Sequence, residues 1–146
     1  MKLVPEKTRI SADGTKYIPI EKLSVKFSKI PLEWGAGKAG NDVKVGFKKG
    51  SIPEFDSINE EAEKLGCKWF DTVYKVKLTM TDGKVGYWYR GKFKQTLFDS
   101  KGMVLNGDPR KILKKNTIVS GCIQFDSIAV NEKKSLIVRF VRLVVH

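Results

Sequence analysis

The chain has little of what most enzymes use for catalysis: its 146 residues include a single histidine, His146. General acid–base and nucleophilic mechanisms rely most often on histidine, and no Cys–His or Ser–His–Asp set can be assembled here. A metal-dependent nuclease is the remaining enzymatic alternative, with Asp126, Glu132 and Lys134 as its only plausible residues. Glu132 lies in a predicted turn, where charge is expected anyway. We therefore expect a protein that is not an enzyme, and we assign no catalytic residue, metal or cofactor.

Cysteine and long hydrophobic runs are also scarce. The two cysteines, Cys67 and Cys122, are far apart in the sequence, which predicts neither a zinc ribbon nor a disulfide framework. No apolar run is long enough to span a membrane, no basic amphipathic helix is present, and residues 1–6 lack the apolar core of a signal peptide. These features favour a cytoplasmic protein (host cytoplasm if viral) without a membrane partner.

Acidic residues are few in the second half of the chain. The net charge is +12, and residues 74–146 contribute 15 basic and 5 acidic groups to it, whereas residues 1–73 contribute 13 and 11. Neutralising the phosphates of a nucleic acid releases counterions and drives association electrostatically. The asymmetry therefore predicts a polyanionic partner that is bound mainly by the C-terminal half.

The most informative segment consists of two alternating runs, residues 74–80 and 85–94, joined through Asp82-Gly83. Asp-Gly between two such runs is a strong hairpin signal, and a two-residue turn pairs Thr81 with Lys84. The register then predicts an apolar face made of Tyr74, Val76, Leu78, Met80, Val85, Tyr87, Tyr89 and Phe93. It predicts an opposite face made of Lys75, Lys77, Trp88, Arg90, Lys92 and Lys94.

An exposed aromatic ring among five cations is suited to stacking a base while the cations hold the neighbouring phosphates. The alternative is that the lysines serve solubility and protect a sheet edge, with Trp88 covering an aliphatic neighbour. A longer turn with a bulge would also shift the register and move Trp88 inward.

Residues 33–41 are rich in glycine and are predicted to form a flexible loop. Residues 35–40 match the G-x-G-x-x-G pattern, but a β-like run follows where a dinucleotide site needs a helix. Functionally, a mobile loop carrying Trp34 and Lys38 is a candidate to close over a bound strand.

Two short helices are predicted. The first covers residues 55–66, with Ser57 and Glu60 as a capping box and Gly66 as its left-handed end. Its outer face is acidic. This leads to the hypothesis that the helix competes with nucleic acid for the lysine-rich face of the hairpin. Trp69-Phe70, which follows, is expected to belong to the core.

The second helix is predicted within residues 108–115, where Asp108 is the N-cap and Pro109 the first helical residue. Its Lys111 and Lys114 are candidate phosphate ligands, although cations at a helix C-terminus are favoured by the helix dipole regardless.

The remaining pattern is rich in β-strand signals, which predicts a mostly β protein. The expected fold is a single domain over residues 1–146, a small Greek-key OB-like barrel with one or two short helices and long loops. The predicted strands outside the hairpin cover residues 17–20, 23–27, 42–48, 117–130 and 135–145.

The second half of the chain resembles bacteriophage single-stranded-DNA-binding proteins. The resemblance covers about residues 70–146 and rests on Leu97-Phe98-Asp99-Ser100-Lys101-Gly102, on the segment Ile112-Leu113-Lys114-Lys115-Asn116-Thr117-Ile118-Val119-Ser120-Gly121, and on a Val-rich last strand. It implies an OB-fold protein that coats single strands during replication or recombination. The chain departs from the pattern in having Lys115-Asn116-Thr117 at one turn and in ending at His146 without an acidic tail.

The sequence thus favours non-enzymatic, sequence-nonspecific binding of single-stranded DNA, with a homo-oligomer forming on the DNA. An RNA-binding OB module and a viral structural or assembly protein with a basic β-barrel are the alternatives. Arg139 and Arg142 have opposite strand parity, so only one can face outward on a regular strand, and the inward one needs a paired carboxylate or a position at a barrel end. The predicted nucleic-acid-binding residues are Trp88, Lys75, Lys77, Arg90, Lys92, Lys94, Trp34, Lys38, Tyr89, Lys111, Lys114 and Arg139.

Overall fold

The computed structural model describes residues 1–39 and 42–146, and the side chains of residues 38, 39 and 42 lie outside this description. The described chain is mostly β-strand. It begins with a 3₁₀ turn at Pro5–Lys7. The strands are β1 (Arg9–Ile10), β2 (Lys16–Pro31), β3 (Trp34–Ala39), β4 (Asp42–Phe47), β5 (Tyr74–Thr81), β6 (Lys84–Tyr89), β7 (Lys92–Gln95), β8 (Leu97–Asp99), β9 (Ile118–Val130) and β10 (Lys134–Val145), and the helices are α1 (Pro53–Lys64) and α2 (Pro109–Ile112).

The strands form two five-stranded sheets. The first has the order β1-β2-β9-β10-β8, in which only the β10–β8 pair is parallel. The second has the order β3-β4-β5-β6-β7, so each strand pairs with its neighbour in sequence. Register shifts occur twice within β2, and Lys22 and Lys29 lie there at φ of 36° and 51°. Such irregularities bend a strand and curl the sheet, and the result confirms the predicted small, mostly β, barrel-like fold.

An aromatic cluster connects the two sheets and α1. Phe55 of α1 has its ring centroid 5.8 Å from Phe47 of β4, 5.1 Å from Trp69 and 6.1 Å from Phe125 of β9. The Trp69 indole N–H donates to the Lys75 carbonyl at 3.2 Å, so its polar atom is satisfied in the core. The prediction that Trp69 belongs to the core is confirmed. This hydrogen bond also fixes the backbone of Lys75 from the core side of β5.

The predicted strands differ from the structure at two places in the N-terminal part of the chain. The two short strands expected between residues 17 and 27 form one strand, β2, because bulges rather than a turn absorb the irregular pattern. Residues 33–41 are expected to form a flexible loop, but residues 34–39 form β3, which pairs with β4, and residues 40 and 41 lie outside the described residues. Glycine-rich composition does not prevent a strand there because β4 supplies the hydrogen bonds.

Helix α1 begins at Pro53, earlier than predicted, so the proposed capping box of Ser57 and Glu60 is wrong. Ile52 is the N-cap without a side-chain cap, and Pro53 at the first position needs no N–H partner there. Gly66 follows at φ 82°, the left-handed conformation expected at the end of the helix.

Candidate nucleic-acid interface

The hairpin predicted around Asp82-Gly83 is present with the expected register near the turn. Thr81 pairs with Lys84, and φ is 52° at Asp82 and 73° at Gly83, as a type I′ turn requires. A second turn of the same kind occurs at Arg90-Gly91, with φ of 49° and 76°. The run 85–94 is therefore two strands, β6 and β7, that fold back on each other.

The second turn changes which residues share a face. Trp88 pairs with Phe93 across β6 and β7, and their ring centroids are 5.4 Å apart. Lys92 pairs with Tyr89 and Lys94 with Tyr87, so both lysines lie on the opposite face. The prediction that Trp88, Lys92 and Lys94 share one face is wrong, because a turn interrupts what the alternating pattern predicts as a single strand.

Both faces of this hairpin present an exposed aromatic ring, and on one of them cations lie close to the ring. Trp88 is 58% exposed, as expected for a stacking residue. Tyr89, which the predicted register places on the apolar face, is 42% exposed. The Lys94 ammonium lies 4.9 Å and the Arg90 guanidinium 5.2 Å from its ring centroid.

A second exposed tryptophan, Trp34, lies at the start of β3. It pairs with Gly46 of β4, which pairs with Lys75 of β5, and the Lys75 ammonium is 5.0 Å from the Trp34 ring centroid. A Cβ at position 46 would lie 3.0 Å from the Trp34 Cβ and 2.8 Å from a Val73 methyl carbon. Glycine at 46 therefore makes the space in which the indole lies on the sheet.

The segment after α2 closes against the other side of Trp34. The Ala36 N–H donates to the Leu113 carbonyl at 2.7 Å, and the Asn116 N–H donates to the Leu32 carbonyl at 2.8 Å. A Cβ at Gly35 would lie 2.7 Å from backbone atoms of residues 113–115. These contacts hold Lys115 beside Trp34.

Helix α2 itself is shorter than the predicted range 108–115. The Asp108 carboxylate accepts the Arg110 N–H at 3.0 Å, as predicted for an N-cap. Lys111 lies on α2 and Lys114 follows it, and both side chains are exposed.

A cavity of about 440 Å³ lies between β3, β4, β5 and the residues after α2. Its lining residues are Glu33, Trp34, Gly35, Gly37, Lys44, Lys75 and Lys115. Sequence reasoning names Trp34 and Lys75 but misses Lys44 and Lys115 as site residues. Lys44 alternates with Val43 and Val45 in a predicted strand, which marks it as outward-facing, yet only the register shows that it adjoins Trp34.

The register places both exposed tryptophans on the outward face of the second sheet. Lys75 and Lys77 alternate with the buried Tyr74, Val76 and Leu78 along β5, and Lys44 pairs with Lys77. Thr79 of the same face pairs with Gly86, and Trp88 follows two residues later on β6. We call this surface the basic face; it comprises Trp34, Lys44, Lys75, Lys77, Trp88 and the adjoining Lys115.

Arg139 lies elsewhere and is engaged. Its Nε donates to an Asp126 carboxylate oxygen at 2.8 Å, and its guanidinium lies 4.3 Å from the Tyr87 ring centroid. A bulge between Phe140 and Arg142 puts both arginines on one face of β10, because they pair with Gln124 and Cys122, two residues apart on β9. The expectation that only one of them faces outward is therefore wrong, and Arg142 is the more exposed of the two. Asp126, one of the three residues of the nuclease alternative, thus forms an ion pair with Arg139. Among the described residues, no cluster of His, Cys, Asp or Glu side chains fit to hold a metal occurs.

The acidic helix α1 and the basic face lie on opposite sides of β5. Tyr74 points inward and its hydroxyl donates to Asp56 of α1, and burial, reinforced by Asp56, raises the pKa of the Tyr74 hydroxyl. Lys75, the next residue, points outward. In the part of the chain whose side chains are described, no ion pair joins α1 to the cavity lysines. Competition between α1 and a ligand stays a hypothesis, and Lys38 lies outside the described side chains.

Comparisons with other proteins found no relative: no protein-family model matches the chain, and neither characterised proteins nor solved structures gave a match. No helix in residues 1–39 and 42–146 is long and apolar enough to cross a membrane.

Proposed function

We propose that this protein binds single-stranded DNA through the basic face, without catalysis and with little sequence preference. The observation that supports the proposal most is the placement of Trp34 and Trp88, both substantially exposed, on one sheet face that also carries Lys44 and Lys75. Large aromatic side chains usually bury much of their area in cores or interfaces. Two of them outside the core, on a face that also carries lysines, fit a surface that is completed by a ligand.

The proposed mechanism divides the work between rings and charges. Trp88 and Trp34 each stack a base, which contributes about 1–3 kcal/mol per base and tolerates any sequence, because every base has a π face. The lysines neutralise phosphates and contribute a salt-dependent part of the affinity. Duplex DNA hides its base faces within the stack, so this surface favours single strands.

Tryptophan fluorescence tests the proposal directly. Titration with oligo-dT is expected to quench the two exposed tryptophans, with binding that weakens steeply between about 50 and 200 mM salt. The same sequence as duplex should bind more weakly, and the RNA oligomer measures the preference between DNA and RNA. Trp69 is buried and provides the unquenched background.

Two variants distinguish binding at the basic face from nonspecific attraction between the positively charged protein and DNA. Trp88→Ala should weaken oligo-dT binding at every salt concentration by about 5- to 150-fold, the equivalent of stacking one base. Lys26→Gln removes one exposed charge from β2 in the other sheet and is the matched control. Unchanged affinity in Trp88→Ala, or a salt dependence near zero, would contradict the proposal.

A further inference from the structure

The cavity beside Trp34 has the size and composition of a site for one nucleotide. Its volume of about 440 Å³ lies within the range of small-molecule pockets, about 300–1,000 Å³. One aromatic ring and three lysines, Lys44, Lys75 and Lys115, line it. Such a combination offers a stacking surface and a concentration of positive charge in the same small space.

The cavity is built by the backbone rather than by flexible side chains alone. Gly46 lets the Trp34 ring lie on β4, and Gly35 lets residues 113–115 approach to backbone contact. Three backbone hydrogen bonds between residues 32–36 and residues 113–117 fix this approach. A ligand therefore meets a preformed wall, which lowers the ordering cost of binding.

We infer that this cavity is a nucleotide subsite that holds one nucleotide of a strand, with its base on Trp34 and its phosphate among Lys44, Lys75 and Lys115. The inference rests on the proposed function for its ligand class and goes further by defining a discrete subsite. Its lining also contains Glu33, whose carboxylate repels phosphate and can accept an N–H from a base. The lining thus offers lysines to the phosphate of a nucleotide, and Trp34 and Glu33 to its base.

A discrete subsite predicts that a mononucleotide binds without the rest of the strand. The chain has three tryptophans, so three indole N–H signals are expected in a ¹⁵N NMR spectrum, and Trp34→Phe assigns one of them. Titration with dTMP should shift the Trp34 signal saturably and leave the Trp88 signal nearly unchanged. Thymidine and inorganic phosphate, which each supply half of the ligand, should bind at least about tenfold more weakly than dTMP, because each lacks either the stacking or the phosphate interaction.

A cavity-filling variant makes the test specific. An added Cβ at Gly37 would have its nearest neighbour at 4.0 Å, so Gly37→Val can place its methyl groups in the cavity without a backbone clash. It should retain the spectrum of the folded protein and abolish the dTMP-induced shift. Lys115→Gln should weaken dTMP binding several-fold, whereas Lys26→Gln, in the other sheet, should leave it unchanged.

The outcomes distinguish the subsite from the wider proposal. If dTMP produces no saturable shift, or if inorganic phosphate alone reproduces it, the nucleotide subsite is overturned even when oligo-dT binding depends on Trp88. If dTMP binds at Trp34 and oligo-dT does not bind, the subsite stands and the single-strand function falls. If Gly37→Val folds and still binds dTMP, the ligand lies outside the cavity and the inference is wrong.

Discussion

The two exposed tryptophans are built into the protein in different ways. Trp34 lies on β4 at Gly46, and residues 113–115 hold its strand from the other side. Trp88 lies on the β6–β7 hairpin, where its ring packs on Phe93 of the adjoining strand. Trp34 thus lies on a strand that backbone hydrogen bonds hold on both sides, whereas Trp88 lies next to the Arg90-Gly91 turn and beside the edge strand β7. Similar exposure therefore accompanies two different kinds of support.

Removing both rings should have the largest effect on binding. Trp34→Ala and Trp88→Ala should each cost about 1–3 kcal/mol in the free energy of oligo-dT binding. If the two subsites act independently, the double variant should show the sum of the two effects within about 0.5 kcal/mol. Fluorescence anisotropy with a labelled oligo-dT measures all four proteins of the cycle.

The same cycle reveals how the subsites communicate. A double variant no weaker than Trp88→Ala would show that Trp34 is not used by the strand. A strongly non-additive cycle would instead show that one side of the basic face must be occupied before the other. Repeating the cycle with an oligomer too short to reach both rings should remove the contribution of one of them.

The next largest effect is expected on stability, at the glycines of β3. Gly35→Ala introduces a Cβ within 2.7 Å of three backbone atoms, and backbone cannot rotate away as a side chain does. Overpacking of this kind typically destabilises by about 1–3 kcal/mol. Gly37→Ala, two residues along the same strand, has open space and should change the free energy of unfolding by no more than about 0.5 kcal/mol. Urea denaturation of the two variants measures the difference.

The paired glycine variants also test the contrast between the tryptophans. In a folded Gly35→Ala protein, the wall formed by residues 113–115 should move away from Trp34, so the contribution of Trp34 to oligo-dT binding should decrease while that of Trp88 persists. Equal stability of Gly35→Ala and Gly37→Ala would show that the close approach of β3 to residues 113–115 is not tight in solution.

Local pattern predicts much of the fold. Asp82-Gly83 between alternating runs predicts the hairpin and its register near the turn, because few dipeptides adopt a type I′ turn easily. The long runs of β9 and β10 are predicted within one residue at each end. The turn at Arg90-Gly91 is not predicted because arginine rarely adopts positive φ, although Gly91 suits the second position of such a turn.

The candidate site is only half predictable, for a physical reason. The exposure of Trp88 follows from the alternation of side chains along one strand, which can be read from residues that are neighbours in the sequence. The cavity at Trp34 depends on three approaches between distant segments: β3 with β4, β4 with β5, and β3 with residues 113–115. Lys44 and Lys115 become neighbours of Trp34 only through this pairing, and a single sequence does not encode it in any short motif.

The smallest expected effect separates the basic face, as the structure defines it, from the lysine-rich face that the sequence pattern predicts. Lys115 lines the Trp34 cavity, whereas Lys92 lies on the face opposite Trp88, although the sequence pattern predicts it beside that ring. Removing one lysine–phosphate interaction with a single strand lowers the magnitude of the log Kd against log salt slope by about 0.7. Lys115→Gln should therefore lower the slope by about that amount, and Lys92→Gln should behave like the control Lys26→Gln. The opposite result would be a slope that Lys92→Gln lowers and Lys115→Gln does not. It would place the DNA strand over Tyr89 and its neighbouring cations. That face of the hairpin, rather than the Trp34 cavity, would then be the centre of binding.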